Sequence, residues 1–406
     1  MTSHAAGSIN SRRAPRTVER LLRLKVEVPT WGFANTGTRF GKFLQDAAAV
    51  DLPDKLEDAG TVHRFTGMTP TAAVHVLWDF PDGFDPDVVQ LAESHGVQIG
   101  AINPNVFQDQ CYKFGSITNR DEQIRRRAIQ HILDSVQIGK QTGSRFLSLW
   151  FADGANYPGQ ADIRSRKRRA TDALREVHAA LPEEMRMLVE YKPFEPATYY
   201  TDFFDWGSSY IFARAAGRQA QVLVDLGHHL HGTNVEQIVA WLLDEGMLGG
   251  FHFNDRKFAD DDLTTGSIDP YQLFRIFNEI FAWEHEAGED VDIAWMVDQS
   301  HNIKPKVEAM IQTVCTVQEI AAKALCVDRD ALARAQAKDD VVAAEEELRK
   351  AYEADVSDLV AETRRQLGVP ADPLAAYRRS GYEQKVAQQR RRKRQEQGIT
   401  EGGSYA

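Results

Sequence analysis

Cysteine is scarce in this chain of 406 residues: there are three, Cys111, Cys315 and Cys326, with no CxxC spacing. An odd, scattered set gives no disulfide framework and no thiolate cage, and it fits reduced thiols in a cytoplasm. Long apolar runs are missing too. None approaches the ~20 residues of a membrane-spanning helix, so no membrane partner is expected. The opening stretch, MTSHAAGSINSRRAPRT, has no apolar core of a secretory signal and reads as a disordered start. Positive charge is in deficit. With 48 Lys and Arg against 59 Asp and Glu, the formal charge is −11. Nucleic-acid binding needs a net basic face, so that partner class is set aside in favour of a small neutral substrate.

What is present is an ordinary globular composition, 43% hydrophobic and 26% charged, in a length that buries a full core without staples. Short strand-like runs recur at 24–29 (LKVEVP), 73–77 (AVHVL), 97–103 (VQIGAIN), 145–151 (RFLSLWF), 186–191 (RMLVEY), 221–226 (QVLVDL), 250–254 (GFHFN) and 291–298 (VDIAWMVD). Most are near-continuous apolar runs, as parallel strands buried on both faces require. Helical patterns lie between them at 86–94, 120–142, 161–181, 199–216, 234–245, 269–287 and 303–325, most of them closed by Gly or opened by Asp, Asn or Pro. Strand–helix alternation over eight strands predicts a (β/α)8 TIM barrel. The rival fold, an open doubly wound sheet, usually carries GxGxxG after its first strand, and WGFANTGTRFG lacks that spacing.

The barrel domain is placed at 24–326, after a loosely ordered 1–23. Residues 32–70 read as a long excursion after the first strand with a short-helix stretch. Residues 327–406 are strand-free: 328–367 reads as one helix, Pro370 breaks it, and the basic run at 390–394 reads as a solvated helix end. This helical extension is expected to pack on a neighbouring subunit.

Active sites of TIM barrels sit at the C-terminal strand ends. The fifth run ends on Glu190 with Lys192 two residues on. The sixth ends on Asp225 and is followed by His228. The seventh carries His252, and the eighth ends on Asp298. A carboxylate inside an apolar run is costly unless paired or metal-bound. Salt bridges would explain any one of these residues; four at equivalent positions favour a metal centre. Asp260 and Asp262, two apart in the next loop, can face one side. As a bare acidic triplet they would read as solvated, but beside His228 they suggest a second cation site with Asp225 bridging. Five carboxylates and two imidazoles favour Mg, Mn or Co over thiolate-type zinc. Lys192, on the same strand face as Glu190, can stabilise an oxyanion or balance the carboxylates.

At this point the motifs VEYKPFEP, VDLGHH, GFHFNDRKFADDDLTTGSID and VDQSH, with WFADGANYPGQ and NVFQDQCYKFGS, resemble the L-rhamnose isomerases of the xylose-isomerase-like barrel superfamily. The resemblance spans residues 24 to 330 and points to the shorter, bacterial branch, which acts on several aldoses. It implies a structural metal on Glu190, Asp225, His252 and Asp298, and a catalytic metal on His228, Asp260 and Asp262 with Asp225 nearby. It gives Lys192 the oxyanion role, makes Trp150 a wall of the sugar pocket and has His75 bond the sugar and help open its ring. Phe40 would reach into a neighbour's site. Asp262 and Asp298 would assist proton movement alongside Lys192 and His228. The implied state is a homo-tetramer with two divalent cations per subunit, manganese first, magnesium or cobalt as alternatives. Three rivals are weighed. A ketose 3-epimerase uses paired glutamates, whereas Asp298 ends the eighth run. An apurinic-site endonuclease needs a His-rich three-zinc site and a basic face. A non-catalytic binding barrel would show broken ligand positions, and none is broken.

Overall fold

Eight parallel strands follow one another in chain order: β1 (Val28–Pro29), β2 (Thr71–His75), β3 (Gln98–Asn103), β4 (Phe146–Leu149), β5 (Arg186–Glu190), β6 (Ala220–Asp225), β7 (Leu248–Phe253) and β8 (Ala294–Val297). They come from a computed structural model that describes residues 14–38, 41–195, 198–258 and 260–399. All eight predicted runs are strands, and each pairs in parallel with the next. Closure falls on Glu27. Its backbone N–H donates to Trp295 O at 2.7 Å, and its carbonyl accepts from Val297 N–H at 2.9 Å, joining β8 back to β1. The sheet is thus a (β/α)8 barrel.

Two apolar layers follow from this closure. Ala73, Ala101, Leu188, Leu223, Ala294 and Met296 come from five different strands and touch one another, which only the lumen allows. The side chain of Glu27 is buried with them: its carboxylate accepts the Ala101 N–H at 2.9 Å. A Cβ on Gly100 would lie 1.6 Å from Oε2 of Glu27, so that strand position has room only for glycine. Outside the sheet, residues such as Val74, Val189 and Phe253 pack under the helices.

Those helices are α2 (Leu52–Thr66), α3 (Asp87–Ser94), α4 (Glu122–Thr142), α5 (Ile163–Ala179), α6 (Trp206–Ala216), α7 (Val235–Asp244), α8 (Pro270–Ala287) and α9 (Lys306–Leu325), one after each strand; α1 (Ala14–Arg23) precedes the barrel. Asp51, Asp121, Asp162, Asp205 and Asp269 cap five of them by accepting first-turn N–H groups. The helix expected at 199–216 starts only at Trp206, because Asp205 caps it and Tyr200–Thr201 pair with Gly154–Ala155.

Four expectations are corrected. Residues 14–23 of the supposedly loose start form α1, with Leu21 buried and Arg20 bonded to Glu284 at 2.7 and 2.8 Å. The 32–70 excursion holds a short antiparallel pair, Gly37–Thr38 with Gly41–Lys42, and then α2, a full barrel helix of 15 residues. The 328–367 stretch is three helices, α10 (Arg329–Gln336), α11 (Val341–Tyr352) and α12 (Ser357–Leu367), broken where Asp339 takes φ 54° and Asp340 caps the next helix. Helices α13 (Pro373–Ser380) and α14 (Tyr382–Glu396) complete the extension, which packs on α2 and α9. Arg390 and Arg394 of the basic run are buried there rather than solvated, because buried carboxylates and backbone carbonyls receive them. No single described helix is long and apolar enough to cross a membrane.

Candidate metal centre

Parallel strands aim their last side chains at one rim, and here that rim is acidic. Ligand-capable atoms of Glu190, Asp225, His252 and Asp298 lie within 4.8 Å of one another, and so do those of Asp225, His228 and Asp260. Asp225 belongs to both groups. Nδ1 of His252 is buried without a hydrogen bond, and it faces Glu190 at 3.3 Å, Asp298 at 3.7 Å and Asp225 at 3.8 Å. His228 donates Nδ1–H to the Tyr191 carbonyl at 3.0 Å, which turns Nε2 toward Asp260 at 3.1 Å and Asp225 at 3.9 Å. Fixing one ring nitrogen so that the other faces the centre is how metal-binding histidines are held.

Neighbours orient the carboxylates as well. Asn254 donates to both oxygens of Asp225 at 2.9 and 3.0 Å, and Gly227 N–H adds a bond of 2.7 Å. The indole of Trp31 donates to Asp298 at 2.8 Å. Asp262 lies in the same cavity but outside both groups of mutually close atoms. Burial, then the charges of Asp260, Asp298 and Asp225, push its carboxyl well up, and its φ of 45° lies in the left-handed region that few residues other than glycine adopt.

The electrostatics are those of a cluster short of positive charge. Burial, with Glu190, Asp260 and Asp298 adding to it, raises Asp225 to about 7. Burial works against Glu190 too, yet His252 and His228 hold it down at about 2. Against its own burial, His252 is lifted to about 9, mainly by Glu190. Burial pulls the Lys192 ammonium down, but Asp260 and Glu195 outweigh it and hold the group above its ordinary value; the ammonium bonds Asp260 at 2.5 Å and also Glu195. Hard oxygen donors and imidazoles converging on two points fit divalent cations. Nδ1 of His252, facing three carboxylates without a well-formed hydrogen bond to any of them, supports that fit.

The other half of the cavity is neutral. The whole cavity, acidic half included, has a volume of about 440 Å³. The His75 ring sits 4.6 Å from Trp31, 4.2 Å from Trp78 and 5.8 Å from Phe107, and Phe107 is 5.0 Å from Trp150. Burial pushes His75 down to about 3, so the ring is uncharged. Nδ1 of His75, Oγ of Ser148 and Nε1 of Trp150 line this wall and are buried without hydrogen bonds. Unsatisfied buried polar atoms lining a cavity are those a polar ligand would satisfy.

His75, Trp150, Lys192 and all seven expected ligands therefore line or border one cavity, with Asp262 set apart from the close groups. Phe40, expected to act in a neighbour's site, lies outside the described residues. Sequence reasoning missed Trp31, Trp78, Phe107, Ser148 and Glu195. Only Glu195 had a local signal, three residues after Lys192 in YKPFE.

Residues 56–303 match the family model described as xylose isomerase-like TIM barrel. The chain is 42% identical over 380 residues to a probable sugar isomerase of Mesorhizobium japonicum, covering 91% of this chain and 88% of that one. A probable sugar isomerase of Rhizobium meliloti is also 42% identical, over 370 residues, covering 90% and 86%. Among solved structures, an L-ribulose 3-epimerase superposes with a TM-score of 0.51 at 14% identity, covering 81% of this chain and 97% of that one, a likeness of fold alone. With the closed barrel and the acidic rim, these matches establish that the chain belongs to the xylose isomerase-like TIM barrel family.

Proposed function

We propose that the chain is a metal-dependent aldose–ketose isomerase, with L-rhamnose to L-rhamnulose as its preferred conversion and other aldoses accepted. One observation carries this reading. Two ligand groups sharing Asp225 stand at one end of a cavity whose other end is an uncharged aromatic wall with unpaired hydrogen-bonding atoms. That layout suits a neutral polyol whose reacting carbons lie at one end.

Glu190, Asp225, His252 and Asp298 would hold one cation. His228, Asp260 and Asp225 would hold the other, with Asp262 beside them. Bound divalent cations, manganese first, would polarise the carbonyl and the adjacent hydroxyl of an open-chain sugar together. The chain's own residues do the rest. Lys192 offers an N–H donor to negative charge growing on a carbonyl oxygen. Asp262, its carboxyl raised by burial and the neighbouring carboxylates, is placed to pass a proton between neighbouring hydroxyls. Neutral His75 can exchange a proton with a ring or hydroxyl oxygen through its free Nδ1. Trp31, Trp78, Phe107 and Trp150 cover the sugar's apolar face and exclude water.

The test is a panel of aldoses and ketoses incubated with Mn²⁺ and with chelator, products identified by NMR. L-rhamnulose formed from L-rhamnose, lost on chelation and restored by Mn²⁺, is the expected result. Turnover by chelated protein overturns the metal role. A ketose converted only to its 3-epimer overturns the isomerase reading.

A further inference from the structure

The basic run at 390–394 takes no part in the chemistry above, yet it is among the most heavily bonded segments of the chain. We infer that α14 is a strap that sets the aromatic wall of the cavity, with Arg390 as its positioning residue.

The Arg390 side chain is 2% exposed and its partner Asp58, on α2, is 0% exposed. The guanidinium bonds both oxygens of Asp58 at 2.8 and 2.9 Å, and also the carbonyls of Ala47 at 2.6 Å and Asp54 at 3.0 Å. Tyr382 OH donates to the same Asp58 at 2.7 Å. One turn on, Arg394 bonds the carbonyls of Asp46 at 2.6 Å and Ala48 at 3.1 Å, and Lys393 reaches Asp51 and Asp54 at 2.6 and 3.0 Å. A single helix face thus grips residues 46–48 and the first two turns of α2.

Two routes lead from that grip to the cavity. Ala49 N–H donates to Phe33 O at 2.9 Å, tying the gripped limb to the turn Thr30–Phe33 that carries Trp31. On α2, Lys55 bonds Asp79 at 2.5 Å, and the other oxygen of Asp79 accepts from Thr30 Oγ1 at 2.7 Å and His75 N–H at 2.8 Å. The first route ends on the turn that carries Trp31, and the second on Thr30 of that same turn and on His75. A buried ion pair is a poor source of net stability, because desolvation offsets its attraction. A planar fork bonded to a carboxylate and two carbonyls fixes direction, which an apolar contact would not.

The experiment uses the full chain as the double variant Asp58→Asn/Arg390→Met, which removes both charges while keeping volume, and separately as Arg394→Gln, which is milder should the double variant not fold. Amide exchange by mass spectrometry and steady-state kinetics with L-rhamnose and Mn²⁺ are both read. Exchange over residues 30–35 and 45–50 should quicken by roughly tenfold or more with α7 and α8 unchanged. KM should rise by about threefold to tenfold, with kcat much less affected. Folded variants with unaltered exchange at 30–35 overturn the inference, and so does a uniform quickening across the whole chain. The kinetic arm rests on the isomerase reading. The exchange arm does not, so a protein inert toward L-rhamnose still decides the strap.

Discussion

Trp31, in the turn after β1, donates its indole N–H to Asp298 just past β8 at 2.8 Å while its ring lies 4.6 Å from that of His75. One side chain therefore touches both the acidic half of the cavity and the neutral half. Trp31→Phe keeps the ring contact and removes the bond. Partners that orient a ligand are worth ~10–100-fold in metal affinity or activity. We expect weaker Mn²⁺ binding in that range by titration calorimetry, with the fold intact by circular dichroism. Unchanged affinity would mean the bond does not orient Asp298.

Asp225 stands in both ligand groups, whereas Asp262 stands in neither. Asp225→Asn should lower isomerase activity by at least ~100-fold, because a direct ligand outweighs its orienting partners. Asp262→Asn should retain measurable turnover. Equal residual rates in the two variants would remove the case for a shared ligand.

Metal uptake should release protons. His252 is raised to about 9 and Asp225 to about 7, so near pH 7 the metal-free protein holds the His252 proton and part of one on Asp225. A cation needs the neutral imidazole and the free carboxylate. Apparent affinity should therefore climb as pH rises toward 9 and fall as pH drops below 7. Adding Mn²⁺ to weakly buffered protein at pH 7 should acidify the solution; a steady pH contradicts the assignment.

Burial separates two kinds of ion pair. Lys55–Asp79 is nearly inaccessible, at 6% and 0% side-chain exposure, while Arg145–Asp292 is open, at 58% and 67%. Breaking the first with Asp79→Ala strands a buried ammonium and should cost about 3–5 kcal/mol in urea unfolding. Asp292→Ala should stay within ~1 kcal/mol. Similar losses from both would contradict this ranking.

The strands were legible because parallel strands covered on both faces must be apolar throughout, and the rim was legible because Glu190, Asp225 and Asp298 each end such a run. Helix α2 was not, since its buried face includes Lys55, Asp58, Thr61 and Thr66, which blur the apolar period. Arg390 read as solvated because Asp58 lies 332 residues away along the chain. Trp31 and Ser148 had no local mark. They acquire meaning only when barrel closure brings β1 beside β8 and turns β4 toward the cavity.

The carboxylate of Glu27 occupies the space that a side chain at Gly100 would need. Those two positions are sterically coupled. A lineage that drifts from glycine at 100 must first shorten the residue at 27, and by doing so it gives up the acceptor for the Ala101 N–H beside the barrel's seam. The reverse order is blocked by collision. Gly100→Ala should therefore be tolerated far better in a Glu27→Ala background than alone, an ordered dependence that neither position would reveal by itself.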